Sequence, residues 1–286
     1  MAAKGLTTSI YFNTSASSCQ LRTSSRRNPE SCIEHDESAS SSKRPRLHAD
    51  TTSPPAERLG DDFYSVPCQV LARRLLGKVL ARRLDGGAVL KGRIVETECY
   101  LGGEDKASHS HGGKVTERNK PMYMKPGTAY VYFTYGMYHC FNISSLEPGS
   151  CVLLRSVEPL EGLEQMRHLR RTKRKKKQDG SAMNDCCAKE LKDTEVCNGP
   201  AKLCISFDIG KENSNTKDLC RWDGMWIEED GAGERIELQH VVSCPRIGID
   251  SAGTEWAQKQ LRFYILGNKF VSRRNKAAEK QLAELT

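Results

Sequence analysis

The stretch AVLKGRIVETECY, residues 88–100, carries the strongest structural signal in this 286-residue chain. Its first eight residues are rich in branched aliphatic side chains, which predict a β-strand. The turn sequence DGG at residues 85–87 precedes it, and residues 78–84 predict a partner strand, so the two form a hairpin. Because side chains two positions apart on a strand share a face, Glu96 and Glu98 are expected to point the same way.

A second hairpin is predicted over residues 122–142, as strand, tight turn and strand. Residues 128–134 are dense in β-branched and aromatic side chains, which suit a pleated surface. Gly136 can adopt the positive φ that a sharp turn needs, which places Tyr135 at the tip. Half-buried packing accounts for most strand tyrosines, but it does not account for an aromatic residue at an exposed tip. The tyrosines clustered around this turn are Tyr130, Tyr132, Tyr135 and Tyr138.

Four further elements follow from hydrophobic spacing. Residues 67–76 and 160–171 predict helices, whereas residues 151–157 and 261–265 predict strands. A short helix is expected after Gly199-Pro200, and residues 244–249 predict a loop or a short strand. No internal repeat is evident, so the elements favour one mixed domain.

Composition divides the chain into four parts. Residues 1–57 are rich in Ser and Thr and poor in aromatic side chains, which predicts a disordered N-terminal tail. The folded domain is expected over residues 58–275, with a mobile basic insertion at residues 171–193 that acts either as a solvated tether or as a phosphate-binding segment. Residues 276–286 are expected to form a C-terminal tail.

The net charge favours a polyanionic partner, and two short sequence signals favour particular compartments of the cell. The formal net charge is +8, which favours the phosphate backbone of a nucleic acid. The basic cluster KRPR at residues 43–46 suits nuclear import, although a solvated linker explains it equally well, and the acid-free first 29 residues also resemble a mitochondrial transit peptide. We therefore expect the nucleus, with the mitochondrion as a second address.

The cysteines and the apolar runs exclude other classes. The twelve cysteines show no C-x-x-C spacing, and no secretory signal is seen, so reduced thiols are expected. A zinc site at Cys186, Cys187 and Cys197 is a weak alternative, because adjacent cysteines rarely both reach one tetrahedral metal. No apolar run approaches the ~20 residues that span a bilayer. We expect no metal, no cofactor and no membrane association.

The carboxylates suit hydrolysis of an N-glycosidic bond. Such a reaction builds positive charge on the sugar, and a carboxylate both deprotonates the attacking water and favours the cationic state. Glu98 and Glu96 are both candidates, and the residues alone barely prefer Glu98. Arg155 is expected to end an apolar strand and to keep Glu98 ionised, although a salt bridge elsewhere explains it equally well.

The aromatic residues suit the binding of one flat ring. Tyr100 lies on the same face as Glu98, and Tyr132 is placed to form a second wall, with base–aromatic stacking worth ~1–3 kcal/mol. His109 lies in the loop SHSHGG and suits a hydrogen bond to a base edge better than metal binding with His111. Tyr135, supported by Met137, suits a wedge that fills the gap left by an extruded base.

With these residues and motifs, the chain resembles the alkyladenine, or 3-methyladenine, DNA glycosylase family over residues 59–271. The resemblance is specific, because many segments match the family pattern in order. The matching segments are GRIVETE (92–98), YLG (100–102), MKPGT (124–128), YGMY (135–138), NISS (142–145), EPLEG (158–162), GPAKLC (199–204) and LRFY (261–264).

The resemblance implies a role for each matched position. It implies that Glu98 is the general base and that Arg155 helps to hold the nucleophilic water. It implies that Tyr135 is the wedge. The residues implied to enclose or select the flipped base are Tyr100, His109, Tyr132, Asn142 and Ile249, with the backbone of Ile249 at the water. Those implied to touch DNA phosphates are Thr116, Arg118 and Lys202.

Taken together, the elements and the resemblance lead us to expect an α+β single domain. It should contain a curved, mostly antiparallel β-sheet flanked by helices, with a protruding β-hairpin. The expected activity is monofunctional excision of damaged purines from double-stranded DNA by a monomer, since no lysine is placed to form a Schiff base. The alternatives are a module that stacks bases without cutting and a glycosylase that also cleaves the strand. The Asp250-Ser251 pair and the long insertion after Arg171 depart from the family pattern.

Overall fold

The computed structural model describes residues 57–177, 191–231 and 236–285, all of which belong to one compact unit. The predicted N-terminal tail, apart from residue 57, lies outside these ranges. Residues 178–190, the middle of the predicted basic insertion, also lie outside them. The disorder of the first segment and the mobility of the second therefore stay predictions.

The core of the fold is an eight-stranded sheet in which every described strand pair is antiparallel. Its main path runs β3-β4-β5-β2-β1-β6, and β8 pairs with both β2 and β7. The sheet and the surrounding helices confirm the predicted α+β class. The strands are β1 Val79–Arg83, β2 Val89–Tyr100, β3 Ala129–Thr134, β4 Tyr138–Ser144, β5 Cys151–Glu161, β6 Met225–Glu228, β7 Val241–Cys244 and β8 Arg262–Ile265.

Strand β2 is the central strand of this sheet. One edge pairs with β5 along most of its length, while the other pairs first with β1 and then with β8. Residues 94–99 are consequently buried on both faces. Gly92 lies in this crowded strand, where a Cβ atom would come within 2.9 Å of a methyl group of Val157.

Three register shifts interrupt the pairing of β2 with β5, and two of them lie next to Glu96. Ile94 faces Val157 and Glu96 faces Ser156, so Val95 is an extra residue on β2. The next pair joins Thr97 to Leu154. Arg155, which lies between Leu154 and Ser156, is therefore an extra residue on β5. A β-bulge of this kind redirects a side chain without ending the strand. Arg155 was predicted at a strand end; it lies instead within β5, at a bulge.

Eight α-helices are described, and most are short. Helix α2 begins after Pro67, close to the predicted start, and its Ala72 carbonyl accepts a hydrogen bond from Thr97 Oγ1 (2.9 Å). Helix α5 packs on β4 and β5, and α3 packs on α5. The helices are α1 Asp61–Tyr64, α2 Cys68–Arg74, α3 Leu163–Lys177, α4 Asp193–Val196, α5 Pro200–Ser206, α6 Lys211–Ser214, α7 Thr254–Gln258 and α8 Lys276–Leu285.

Two segments differ from the sequence expectations. Helix α3 was predicted to end near Arg171, but it continues to Lys177, because a run of Lys and Arg has good helix propensity and suits the negative end of the helix dipole. The predicted C-terminal tail forms α8, which buries Ala278 and is joined to the sheet by a hydrogen bond from the Tyr264 hydroxyl to Glu279 Oε1 (2.9 Å). None of the described helices is long and apolar enough to cross a bilayer.

Candidate active site

Glu98 occupies the buried end of β2, where its carboxylate binds three donors. The Ile247 backbone N–H donates to Oε1 (2.9 Å), and the Tyr100 hydroxyl donates to Oε2 (3.1 Å). The Arg155 guanidinium lies 3.2 Å from Oε1. The side chain has no exposed surface, so its orientation is determined entirely by these partners and by its strand.

Arg155 bridges the two carboxylates of β2. Its Nε lies 3.3 Å from Glu96 Oε1, while the other end of its guanidinium contacts Glu98. Burial opposes the charge of Arg155, but Glu98 and Glu96 outweigh this effect and raise its pKa. The bulge in β5 therefore gives both acids one shared cation.

Glu96 shares Arg155 with Glu98 but has two further partners of its own. Arg262 Nη1 lies 2.7 Å from Glu96 Oε1, and the Ser272 backbone N–H donates to Oε2 (2.7 Å). These two partners tie β2 to β8 and to the loop that follows β8, whereas the partners of Glu98 lie around Tyr100. All three partners of Glu98 line the cavity described next, against one of the three partners of Glu96, so Glu98 is the candidate for the chemically active acid.

A cavity of ≈ 410 Å³ lies beside Glu98. Its volume is within the range of small-ligand sites. Glu98 does not itself line the cavity, but all three of its partners do, so the carboxylate lies directly behind the wall. The lining residues are Tyr100, Ala107, Ser108, His109, Met122, Tyr130, Tyr132, Thr134, Tyr135, Cys140, Asn142, Cys151, Leu153, Arg155, Pro200, Ile247, Gly248 and Ile249.

A buried ion pair between Arg246 and Asp105 holds the cavity wall together. The guanidinium binds both carboxylate oxygens, at 2.5 and 2.8 Å, and also donates to the Cys99 carbonyl (2.8 Å). Its centre lies 4.7 Å from the ring centroid of Tyr100. Both side chains are fully buried, so the pair connects the end of β2, the loop after it and the loop that carries Ile247.

His109, Tyr130 and Tyr132 form an aromatic wall. Nδ1 of His109 lies 2.8 Å from the Tyr130 hydroxyl, and its ring meets Tyr132 edge-to-face at 4.6 Å. Asn119 Nδ2 donates to the His109 carbonyl (2.8 Å) and thereby fixes the loop. Partial burial, followed by the charge of Arg118, lowers the pKa of His109 to about 4. The imidazole is therefore neutral at pH 7.

Asn142 lies on β4 and is almost completely buried beside the cavity. Its Nδ2 donates to the Tyr130 carbonyl (3.1 Å) across the β3–β4 pair. This hydrogen bond holds the amide in one orientation. Asn142 is thus a rigid polar feature in an otherwise largely aromatic wall.

The β3–β4 hairpin presents an exposed aromatic tip. Tyr135 and Gly136 both have positive φ, 52° and 63°, and the Met137 N–H donates to the Thr134 carbonyl (3.1 Å). These values match the type I′ turn preferred in tight hairpins. Tyr135 is 84% exposed although positive φ is unfavourable for a bulky residue, and Met137 is 41% exposed beside it.

The residues expected at phosphates lie around the cavity. Arg118 is exposed, and its guanidinium lies 5.1 Å from the ring centroid of Tyr132. Thr116 is exposed nearby, with its N–H and hydroxyl donating to Asn119 Oδ1 (2.7 and 3.0 Å). Lys202 is on α5, two residues after Pro200 of the cavity wall, and its ammonium donates to Asn198 Oδ1 (2.7 Å).

Ile249 lines the cavity, and the contact of its backbone with the attacking water stays a prediction. The structure adds a different backbone contact in the same loop, the hydrogen bond from the Ile247 N–H to Glu98. Ile247, Tyr130, Arg246 and Asp105 were not identified from the sequence. Only Tyr130 gave a signal, as a member of the tyrosine cluster, since a lone Arg or Asp in a loop resembles a surface charge.

The described residues contain one group with metal-ligand chemistry, Asp61, Asp218 and Cys220. It is remote in sequence from the cavity lining, and Lys125 and Arg221 already pair with its carboxylates. Cys197, a member of the weak zinc alternative, is buried with its thiol against Met166, and Cys186 and Cys187 lie outside the described residues.

Comparison with known proteins follows the same part of the chain. A family model described as methylpurine-DNA glycosylase matches residues 62–269, which include every cavity residue. A protein from Mus musculus named DNA-3-methyladenine glycosylase is 51% identical over 222 residues, which are 78% of this chain and 63% of that protein. Its namesake from Homo sapiens is 52% identical over 222 residues, again 78% of this chain, and 70% of that protein.

A relative from Encephalitozoon cuniculi, named probable DNA-3-methyladenine glycosylase, is 47% identical over 207 residues. These are 72% of this chain and 89% of that protein. The chain therefore spans less than two thirds of the mouse protein and most of the microsporidian one.

Replacing Asp105, the acid of the buried ion pair with Arg246, should destabilise the protein strongly. Asp105→Asn keeps the side-chain shape but leaves Arg246 without its counter-charge, which costs about 3–5 kcal/mol in buried pairs. Asp61→Asn, at an exposed ion pair, is the control and should change stability little. Urea unfolding at pH 7 measures both variants. Equal stability of the two variants would contradict the role given to the buried ion pair.

The low pKa of His109 makes stability depend on pH. Between about pH 6.5 and pH 4 the unfolded chain binds a proton at His109 that the folded chain does not, so the free energy of unfolding should fall as pH falls through this window. Arg118→Gln removes a cause of the shift and should raise the pKa, as followed by NMR titration of the imidazole. Lys120→Gln, a nearby exposed control, should leave it unchanged; an equal effect of both would refute this cause.

Proposed function

Because this chain belongs to the methylpurine-DNA glycosylase family, we propose that it is a monofunctional DNA-3-methyladenine glycosylase. It removes alkylated or deaminated purines from double-stranded DNA and leaves an abasic site, which is the first step of base excision repair. The single observation that carries this proposal is the contact of Glu98, behind the wall of a tyrosine-lined cavity, with Arg155 in that wall, beside an exposed aromatic hairpin.

Glu98 is proposed as the general base. A carboxylate offers about four acceptor sites, and Ile247, Tyr100 and Arg155 occupy three, so one remains to accept a proton from a water. Since Glu98 is fully buried, that water must enter between its partners when the cavity is filled. Arg155 maintains the negative charge that the base needs and stands beside the water.

The aromatic wall is proposed to receive one flipped purine. Tyr100 and Tyr132 stack on the ring, and His109, neutral at pH 7, hydrogen-bonds the base edge or the sugar-phosphate side. The amide of Asn142, which its hydrogen bond to Tyr130 holds in place, crowds the exocyclic amine of guanine. This crowding excludes normal guanine from the cavity. Alkylated bases leave readily because they carry positive charge, and damaged bases also cost less to unpair.

The hairpin tip is proposed to hold the duplex open. Tyr135 enters the space that the flipped nucleotide vacates, and Met137 supports it from the other side of the turn. Thr116, Arg118 and Lys202 bind backbone phosphates around the cavity, which positions the duplex without reading its sequence. The positive φ of Tyr135 is strain of the kind that functional sites retain.

A glycosylase that also cleaves the strand is the second candidate. Such an enzyme needs an amine that attacks the sugar, but none of the cavity-lining residues is a lysine. Borohydride reduction during reaction with a damaged duplex separates the two, since only an imine intermediate is trapped as a covalent adduct. The proposal expects no adduct, and an adduct would replace water as the nucleophile.

The overall proposal is tested on a duplex that contains hypoxanthine. Incubation followed by alkaline cleavage should yield a strand break at the lesion position only. A matched duplex with adenine at that position is the control and should stay intact. If neither hypoxanthine nor 3-methyladenine is released, the proposed activity is wrong.

Glu98→Gln should abolish excision while binding persists. The amide cannot take the proton from water, and loss of a general base typically costs ~10²–10⁴-fold in rate. Single-turnover excision gives the rate, and binding to the same lesion duplex shows that the cavity is intact. Full activity in this variant would remove Glu98 from the mechanism.

Tyr135→Ser should weaken binding to a lesion duplex and slow excision, because the wedge is removed. Tyr135→Phe retains the ring and is the matched control, which should behave as the unaltered protein. Affinity for a duplex that holds a stable abasic-site analogue measures both variants. If Tyr135→Ser binds as tightly as Tyr135→Phe, the wedge is not the role of this residue.

A further inference from the structure

The C-terminal half of helix α3 concentrates positive charge. Residues 170–177 read RRTKRKKK, with seven cations in eight positions and no acid. The helix extends through all of them to Lys177. At 1.5 Å per residue the segment is ~12 Å long, the length of three to four base-pair steps.

The cations along α3 divide into two groups. Arg167 is an ion-pair partner of Glu164 and Asp193, and Arg170 donates to the Val196 carbonyl (2.7 Å), so these two anchor the helix. Arg171 and Lys173 are exposed and make no ion pair with any described residue. Their charge is therefore directed to solvent or to a partner.

This basic segment is close to α5 and, through Lys173, within electrostatic range of His139 on β4 of the hairpin. Helix α3 packs on α5, whose first residue, Pro200, lines the cavity. After burial, the charge of Arg170 is the main cause that lowers the pKa of Lys202 on α5. Burial lowers the pKa of His139 on β4. The charge of Glu212 opposes this shift, and the charge of Lys173 adds to it.

The crowding of like charges around one edge of the cavity costs free energy in the unbound protein. Lys202 and Lys173 each lie within electrostatic range of another basic group, and the acids that oppose this repulsion are Glu195 near Lys202 and Glu212 near His139. A row of phosphates would relieve that repulsion and release counterions. A random solvated charge run gives no reason for a location next to α5 and the cavity wall.

We propose that the basic residues of α3 that follow Arg170, with Arg171 and Lys173 as the described members, bind the sugar-phosphate backbone of the duplex beside the lesion and so extend the DNA footprint of the cavity alongside α5. The inference rests on the proposed function, because it takes the occupant to be the duplex that fills the cavity. The segment recognises charge and not sequence. It adds affinity that depends steeply on salt.

The test compares two double variants that each remove two positive charges. Arg171→Gln/Lys173→Gln alters the segment, and Lys276→Gln/Lys280→Gln alters the exposed face of α8 as the control. Affinity for a 25-base-pair duplex with a stable abasic-site analogue is measured from low to physiological salt. Thermal unfolding of each variant shows that the fold is kept.

The slope of log Kd against log salt should become shallower by about 0.9 for each phosphate that the variant no longer neutralises, so by ~1–2 in the α3 variant. The control should retain the slope of the unaltered protein. Equal slopes in the two variants overturn the proposal, as does a weaker affinity at unchanged slope, which would assign the segment to another partner such as an acidic protein. Hypoxanthine release by the unaltered protein is scored separately, so failure of the activity is distinguishable from failure of this phosphate binding.

Discussion

The structure depends on placing two carboxylates inside a strand that is buried on both faces. Isolated charges in such a position are very costly, so each must be paired and hydrogen-bonded. Arg155 contacts both acids, Arg262 and the Ser272 N–H complete Glu96, and the Ile247 N–H and Tyr100 hydroxyl complete Glu98. Glu96 is thus balanced by two cations and Glu98 by one, and strands β5 and β8 and two loops converge here to supply the partners.

The cavity is a consequence of this pairing. Arg246 and Asp105 hold the loops on either side of the end of β2, and the guanidinium also lies against Tyr100. The loop that supplies the Ile247 N–H is therefore positioned by the same ion pair that supports Tyr100. Buried networks of paired and hydrogen-bonded charges rigidify a site, so the groups that contact the base are oriented before DNA arrives.

The hairpin shows how far sequence patterns reach. Alternation and propensity predicted its two strands, and Tyr135-Gly136 predicted the tip, because a two-residue turn of positive φ favours glycine. The same patterns predicted that α3 ends near Arg171, because they do not show how well a run of basic residues continues a helix. They also predicted a tail at residues 276–286, because the packing of α8 on the sheet depends on contacts distant along the chain. They missed the hydrogen bond from the Ile247 N–H to Glu98 as well, because loop geometry has no periodic signal.

The sequence by itself determined the strand that carries Glu96 and Glu98, the tyrosine-rich hairpin and the mixed helix–strand class, because these follow from local propensity and spacing. Only the tertiary structure decided which acid lies behind the cavity wall, because Ile247, Arg262 and Ser272, which help to distinguish the two acids, are distant along the chain. It also decided the position of Arg155, because a β-bulge depends on the register between two strands. Register and loop closure arise from contacts across the whole fold, and no short stretch of residues encodes them.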